Sequence, residues 1–509
     1  MFDEETSPDT LNCPDGQSAS RRRGPQIAVA VTLALVTASL IWYSRTAAFA
    51  WDEGYHLVAA WLIAHGKQPY IDFVFPQTPF NAYWNALLLR AFGENWRVPH
   101  TGAALLTSGA VAMAACHVYR RLPASPSWRA AAAMATAVVL GLNTAVVEFG
   151  SLQAYGMCLF MIVAAYTLTV AAVDRSGGLR PALAGLCAGI AAASSLLTAP
   201  IAPVLLVWML VVNRAGNRAK KFLCFSAGVV IAFVPLLRLL VKAPHPVIFG
   251  FLQYQLLYRK VEWDDAAIHN LGEVLGWADS SQAVLLVLLA AAGIVFVRNQ
   301  PGNSPMKSEL YLCGWLTLAI TLHLLTARPT FSRYFLLTVP FLSIAAAVGL
   351  YEVAQRLFAG PRPWLATSAL CLLTAYGLGA SLFEQRDDLM WKDLDQSAAK
   401  VREVTPASAS LLADETIYFL LRRTPPSGME LEDSHKLTFA DAEASALHVL
   451  PRRKLDLMIK AGGFDTVEMC DDDEIDRIGL ATLYRKNATA GTCKVFWDWR
   501  GKSDTEADK

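Results

Sequence analysis

Eleven apolar stretches divide this chain: residues 26–43, 98–119, 128–147, 155–173, 181–197, 199–213, 222–241, 281–297, 309–326, 334–351 and 363–383. A helix needs about 20 apolar residues to cross a hydrocarbon core of roughly 30 Å. In lipid, only helices or closed barrels satisfy every backbone polar group. The chain therefore reads as a mainly α, polytopic membrane protein with about 11 transmembrane helices. Composition agrees: 54% of residues are hydrophobic and 17% charged, against roughly 25% charged in soluble domains. A formal net charge of +1 does not suggest a nucleic-acid partner, and no nucleic-acid-binding motif is present.

Residues 1–25 are polar and end in Arg21, Arg22 and Arg23, which reads as a cytoplasmic disordered tail. The first apolar run is longer than a signal-peptide core and has no small-residue cleavage site directly after it, so it reads as a retained anchor. Alternating the spans from an inside N-terminus puts Arg120, Arg121, Arg129, Arg175, Arg180, Arg214, Arg218, Lys220, Lys221, Arg298, Lys307, Arg356 and Arg362 inside. This is the positive-inside bias. An odd number of spans then places residues 384–509 outside, as a small extracytoplasmic α/β domain. Within it, 410–413 and 447–450 look strand-like and 414–421 helical. Cys470 and Cys493 both fall there, where an oxidising compartment permits a disulfide. The expected setting is a multi-pass plasma (inner) membrane of a bacterium.

Two outside loops are long, 44–97 and 242–280, and both are rich in Trp, Tyr and Phe. Long aromatic loops are functional more often than idle. Residues 79–92 are amphipathic, and Pro79 suits a helix start, so an interfacial helix is expected. The first loop also carries Asp52 and Glu53 beside the end of the first span. Carboxylates near a bilayer are costly to desolvate. They serve as a base toward an acceptor, as ligands of a divalent cation, or as acids at a helix N-terminus. His56 follows Asp52 by four residues, one helical turn, so a metal shared by the acids with His56 and His65 stays open.

Arg328 and Arg333 lie outside, beside a late span, against the charge bias. Arg suits phosphate, which it grips through paired N–H donors, although snorkelling toward lipid phosphates is an alternative. Arg259 and Lys260 form a second basic pair. Glu148, Gln153 and Tyr155 occupy a short outside loop and line the same cleft or cap helices. No Walker A, Gly-x-Ser-x-Gly or dinucleotide-binding motif is present in a suitable context.

Taken in order, these elements resemble the type C glycosyltransferases, in particular the bacterial family related to protein O-mannosyltransferases and lipid A aminoarabinose transferases. The matching features are the acidic pair Asp52–Glu53, a Pro-containing segment (70–80) with an amphipathic helix, the pair Arg333–Tyr334 before a span containing Pro340, and a C-terminal soluble domain. The resemblance covers about residues 26–383. It implies a polyprenyl-phosphate sugar donor used on the outer face, inverting transfer to a glycolipid, cell-envelope glycan or protein, and no nucleotide. It implies Asp52 as catalytic carboxylate, Glu53 supporting the acceptor site, and Arg333 on the donor phosphate, with Arg328, Tyr334, Arg259 and Lys260 beside it. Tyr55, His56, Gln77, Glu148, Gln153 and Tyr155 are then the acceptor or substrate cleft. The His-Pro-Pro-like segment of relatives is Phe75-Pro76-Gln77-Thr78-Pro79 here, which weakens the case for a metal. A transporter of lipid-linked saccharides and a non-catalytic scaffold are the competing readings. Transporters place polar groups at mid-membrane, and few ionisable residues fall there.

Overall fold

The computed structural model describes residues 15–46, 48, 52–151, 155–257, 266–298, 305–327, 329–357, 362–384 and 390–501. The helices of the first half are α1 (Asp15–Tyr43), α2 (Glu53–Ala64), α3 (Phe80–Phe92), α4 (Arg97–Arg121), α5 (Pro126–Gly141), α6 (Thr144–Gly150), α7 (Tyr155–Val173), α8 (Leu179–Ser194), α9 (Ile201–Val211) and α10 (Arg218–Lys242). Then come α11 (Pro244–Ile248), α12 (Ala266–Asp279), α13 (Ser281–Arg298), α14 (Pro305–Thr326), α15 (Val339–Leu357), α16 (Pro363–Glu384), α17 (Trp391–Val404) and α18 (Glu415–Leu421). Residues 15–25, expected in the disordered tail, are helical in α1. Arg21–Arg23 are good helix formers and extend the helix ahead of its apolar part.

All eleven apolar runs are helical, but they do not all have the length of a span. Among the described residues, six helices are long and apolar enough to cross a membrane, and the bent pairs α5–α6 (59°) and α12–α13 (79°) raise this to eight. The remaining three runs form α8, α9 and α15. The first two are shorter helices, and the last turns of α15 carry Glu352 and Arg356. Length and composition thus support six to eight crossings, fewer than the eleven expected. The apolar windows of α1 and α16 are only 11% and 17% buried. Apolar helices this open to their surroundings need lipid as solvent.

Local chemistry sets the helix ends. Ser125 accepts a hydrogen bond from the Trp128 N–H with Pro126 next in line, and Asn217 accepts from the N–H groups of Ala219 and Lys220. Such side chains satisfy the orphan donors of a first turn. α8 and α10 cross closely because Gly185 faces the Phe225 backbone and Gly228 the Ala182 backbone. A side chain at either glycine would separate them.

The expected interfacial helix is α3, with Pro79 at its N-cap. Its buried face is Asn81, Ala82, Asn85, Ala86 and Leu89, while Leu87 and Phe92 are exposed. Large apolar groups on the outer side of a short helix suit the lipid boundary. Arg90 donates to the carbonyls of Ala64 (2.8 Å) and Ile63 (3.1 Å), capping the end of α2.

The 25-residue helix α4 rises about 37 Å and joins two polar ends. At its start, His100 bonds to Glu53. At its end, Arg121 and His117 both reach Glu309 of α14. Nearby, Arg214 pairs with Asp174 at 3.4 Å, and the Lys221 ammonium donates to the Ala172 and Val173 carbonyls. The acidic pair and this basic cluster therefore lie at opposite ends of the bundle.

The C-terminal stretch holds a four-stranded sheet of order β1-β2-β4-β3, formed by β1 (Leu411–Leu412), β2 (Thr466–Met469), β3 (Tyr484–Ala490) and β4 (Cys493–Trp499). β1 and β2 are parallel; the other pairs are antiparallel. Cys470 and Cys493 are joined by a disulfide. The strand-like run 447–450 is instead a turn, with His448 at φ 56°. Apolar residues there, Leu447 and Val449, are buried without forming a ladder. This unit packs on the acidic-pair end of the bundle. Trp391 stacks on Trp96 with centroids 3.9 Å apart and planes 7° apart, and α18 lies against α2.

Candidate active site

α2 begins with its two acids turned different ways. Asp52 is the N-cap residue, but its side chain makes no capping hydrogen bond. Its Oδ2 instead receives Nη2 of Arg333 at 3.3 Å, across 281 residues of chain. Asp52 thus stands at the helix terminus, where its charge suits the dipole, while its side chain pairs with Arg333 rather than capping a backbone N–H. Glu53 is 3% exposed and bonds to His100 Nε2, while His100 Nδ1 meets the Ser44 carbonyl at 2.6 Å. Consecutive residues at a helix start point about 100° apart, which explains the divergence.

Arg333 belongs to the 3-10 helix Ser332–Leu337, just before α15. Its guanidinium lies 4.3 Å from the Phe331 ring centroid and 5.4 Å from that of Tyr334. Burial opposes its charge, but Tyr155, Tyr334 and Asp52 together raise its basicity above the usual arginine range. It is a fixed cation with a carboxylate on one side and aromatic faces on the other.

Asp52 opens on a cavity of about 180 Å³ that is also lined by His56, Gln77, Tyr155, His323 and Tyr334. The Gln77 amide donates to the Tyr55 hydroxyl at 2.6 Å, and the Tyr70 hydroxyl donates to the Gln77 carbonyl. Gln255 donates to the Pro76 carbonyl at 2.9 Å, tying the 70–80 segment to the chain after α11. His56 stacks on Tyr55 at 4.4 Å, and burial pushes its imidazole down to about 3, so it is neutral at physiological pH. Its Nδ1 is buried with no hydrogen-bond partner among the described residues. Burial, then the Asp52 charge, raises the Tyr55 hydroxyl well above the usual range, so it stays protonated.

The sequence candidates divide clearly. Asp52, His56, Gln77, Tyr155 and Tyr334 line one cavity, and Arg333 touches it through Asp52. Glu53 points away into its pair with His100. Tyr55 holds Gln77 but lines a second cavity on the C-terminal side. Glu148 is 8% exposed and accepts from Ser381 of α16 at 3.4 Å rather than lining the Asp52 cavity. His65 packs against Trp61 with centroids 4.6 Å apart and pairs with Glu94 at 3.3 Å, so it does not join Asp52, Glu53 or His56 in a metal site. Gln153, Arg259, Lys260 and Arg328 lie outside the described residues. Sequence reading did not connect His100 to Glu53 or His323 to the cavity. Both sit as isolated histidines near the ends of apolar runs, and that position is the one available clue.

Among the described residues, two acid, histidine or cysteine groups come close enough to share a metal: Glu468 with Cys470 and Cys493, and Asp414 with Glu415 and Glu432. In the first, both sulfurs are committed to the disulfide. Neither group includes Asp52.

The whole chain matches solved structures at low identity. ArnT from Cupriavidus metallidurans in the apo state superposes with a TM-score of 0.65 at 15% identity, over 92% of this chain and 97% of that one. The same protein bound to undecaprenyl phosphate superposes at 0.63 and 16% identity, over 95% and 98%. This chain has the type C glycosyltransferase fold. The Archaeoglobus fulgidus oligosaccharyltransferase in its apo form superposes at 0.51 and 12% identity, over 89% of this chain and 70% of that one. No family model and no curated protein matches the chain. Its six to eight apolar crossings make the molecule a multi-pass membrane protein, and the Asp52 cavity lies at the end of the bundle that the C-terminal unit covers.

Proposed function

We propose that this protein transfers a sugar from a polyprenyl-phosphate donor to an acceptor at the extracytoplasmic face of a membrane. The observation that carries the proposal is the Arg333–Asp52 pair at 3.3 Å beside a cavity that Asp52, His56, Gln77, Tyr155 and Tyr334 also line. A phosphate leaving group gains negative charge as the sugar–oxygen bond breaks and needs a fixed cation. The attacking hydroxyl or amine needs a carboxylate within hydrogen-bond reach. Arginine has five N–H donors in a rigid fork, enough to span a carboxylate and a phosphate.

In the proposed reaction, Asp52 accepts the acceptor's proton or orients it, and the acceptor oxygen or nitrogen bonds to the anomeric carbon. The bond from that carbon to the phosphate oxygen breaks, and its electron pair leaves with the lipid phosphate held by Arg333. A single displacement inverts the anomeric centre. Tyr155, Tyr334, Gln77 and neutral His56 supply hydroxyl, amide and imidazole contacts for the sugar. The structure of ArnT bound to undecaprenyl phosphate supports a lipid-phosphate donor, because that chain shares this fold over nearly its whole length. The basic cluster at the opposite end of α4, read with the positive-inside bias, supports an extracytoplasmic cavity. The disulfide on the cavity side agrees, since disulfides persist outside the cytoplasm.

The test uses membranes supplied with radiolabelled polyprenyl-phosphate hexoses and pentoses. Transfer to an extractable acceptor that disappears in Asp52→Asn supports the assignment. Donor use that is independent of Asp52, or no use of any donor by folded protein, favours the transporter or scaffold. Labelling single cysteines in 390–501 from the cytoplasmic side would reverse the orientation.

A further inference from the structure

The 3-10 turn that carries Arg333 is gripped from the side by α12, a helix with two unlike faces. Ile268, Leu271 and Leu275 are exposed, and their spacing puts them on one side. His269, Asn270, Glu273 and Trp277 fall on the other side. A helix in water turns its apolar side inward. α12 turns inward the side that carries its polar residues, as a helix does when its outer surroundings are lipid. It also turns off α13 by 79°, so it runs across the line of that helix instead of extending it.

That inner side meets the chain around Arg333. Asn270 is 2% exposed. Its Nδ2 donates to the Leu325 carbonyl at 3.0 Å and the Ala327 carbonyl at 2.6 Å, and its Oδ1 accepts from the Thr330 N–H at 2.7 Å. The amide thus uses both of its donor hydrogens and its acceptor oxygen. It closes the end of α14, whose last carbonyls have no partner within the helix. Thr330 is fully buried, where a backbone N–H needs a protein partner. His269 Nε2 meets the Thr330 carbonyl at 3.0 Å, and Glu273 Oε2 accepts from the Ser332 N–H at 2.5 Å. Trp277 stacks on Phe335 with centroids 4.9 Å apart and planes 19° apart. Four residues of one helix face therefore fix the chain on both sides of Arg333.

We propose that Asn270 and Glu273 are positioning residues for Arg333, and that α12 is a lipid-surface clamp holding its guanidinium where a lipid-borne phosphate arrives. This rests on the sugar-transfer reading for the identity of that anion, a polyprenyl phosphate. Asp52 holds the guanidinium end of the side chain at 3.3 Å. The clamp holds the backbone end. Only with both ends fixed does the arginine fork present its donors in one direction, and a misplacement of about 1 Å is enough to cost a large part of such an interaction. The two residues differ in what else they do. Asn270 is buried and also closes α14. The Glu273 side chain is 25% exposed, and a hydrogen bond so near the surface adds little to stability. Its consequence comes from its place, one residue before Arg333.

The test uses the purified full-length protein in detergent. Undecaprenyl phosphate binding, hydrogen–deuterium exchange over residues 329–337, Tm and transfer kinetics are measured on the same preparations. In Asn270→Ala and Glu273→Ala, undecaprenyl phosphate is expected to bind about tenfold more weakly, with donor KM raised to match and acceptor KM unchanged. Exchange over 329–337 is expected to quicken at least about threefold, and Tm in Glu273→Ala to stay near that of wild type. Glu273→Gln keeps an acceptor for the Ser332 N–H and is expected to behave as wild type. The Glu273 variants decide the matter if Asn270→Ala does not fold. Faster exchange with unchanged binding would leave the contacts structural and overturn the proposal. So would Glu273→Gln as impaired as Glu273→Ala, or no binding of undecaprenyl phosphate by folded wild type. If wild type binds the lipid phosphate but transfers no sugar, the transfer reading fails, yet a tenfold binding loss in Glu273→Ala still supports the clamp.

Discussion

Glu53 bonds to His100 where both side chains are almost dry, 4% and 2% exposed, while its neighbour Asp52 turns to Arg333. Two adjacent acids thus have separable jobs. Leaving the buried His100 nitrogen without its partner costs about 1–3 kcal/mol, so Glu53→Ala is expected to lower Tm, and Glu53→Gln, which keeps a hydrogen-bond acceptor, to retain most activity. Asp52→Asn breaks a partly exposed pair whose stability is within about 1 kcal/mol, yet it is expected to lose roughly 10²–10⁴ in transfer rate. Melting curves and initial rates on the same preparations separate the two. Equal loss of Tm in both variants would contradict the division.

Arg333 is expected to act on the donor rather than on the fold. Arg333→Lys keeps a charge but loses the fork, so the cation no longer reaches Asp52 and a phosphate together. Losing one charged hydrogen bond, about 1.5–3 kcal/mol, corresponds to roughly a tenfold to hundredfold rise in donor KM, with little change in acceptor KM. Rates at varied polyprenyl-phosphate sugar concentration give the answer. A change confined to acceptor KM would move Arg333 to the acceptor side.

The features that could be read from sequence are the locally encoded ones. Each apolar run reports its own helix, because composition alone decides whether a segment can tolerate lipid. Asp52 and Arg333 stood out because charge beside a span is anomalous. The length of each span did not follow from hydropathy, since bends at α5–α6 and α12–α13 depend on packing against neighbours. The role of Glu53 depended on His100, 47 residues away, and no local pattern links them. The same holds for Glu415 and Glu432, which meet only because the chain between them folds back. At 447–450 the strand pattern misled: Leu447 and Val449 are buried in a turn, where their N–H groups bond back to the Glu443 and Ala444 carbonyls.

Gly54 marks where the two halves of the molecule touch. A methyl group there would meet Glu415 Cβ and Thr416 Oγ1, each at 2.9 Å, and the Thr416 backbone nitrogen at 3.0 Å. The backbone cannot yield as a flexible side-chain tip would, so Gly54→Ala is expected to cost about 1–3 kcal/mol and to loosen the C-terminal unit from α2. Limited proteolysis should then cut between α16 and α17 faster than in wild type. Unchanged proteolysis and Tm would mean that the interface relaxes without cost.

His56 gives the acid limb of stability a definite sign. Its folded pKa is near 3 because burial disfavours the imidazolium, below the ordinary 6.5 of an exposed histidine. As pH falls, the unfolded chain takes up the proton first. The stability is therefore complete above about pH 6.5 and drains away between about 6.5 and 3. At pH 4.5 the loss from this one group is on the order of 3 kcal/mol. His56→Gln replaces the titrating imidazole with a neutral amide at the cavity wall, so its Tm should fall less steeply with acid than that of wild type. Melts of both proteins from neutral to about pH 4.5 decide the point, and parallel curves would show that the acid loss belongs to other groups.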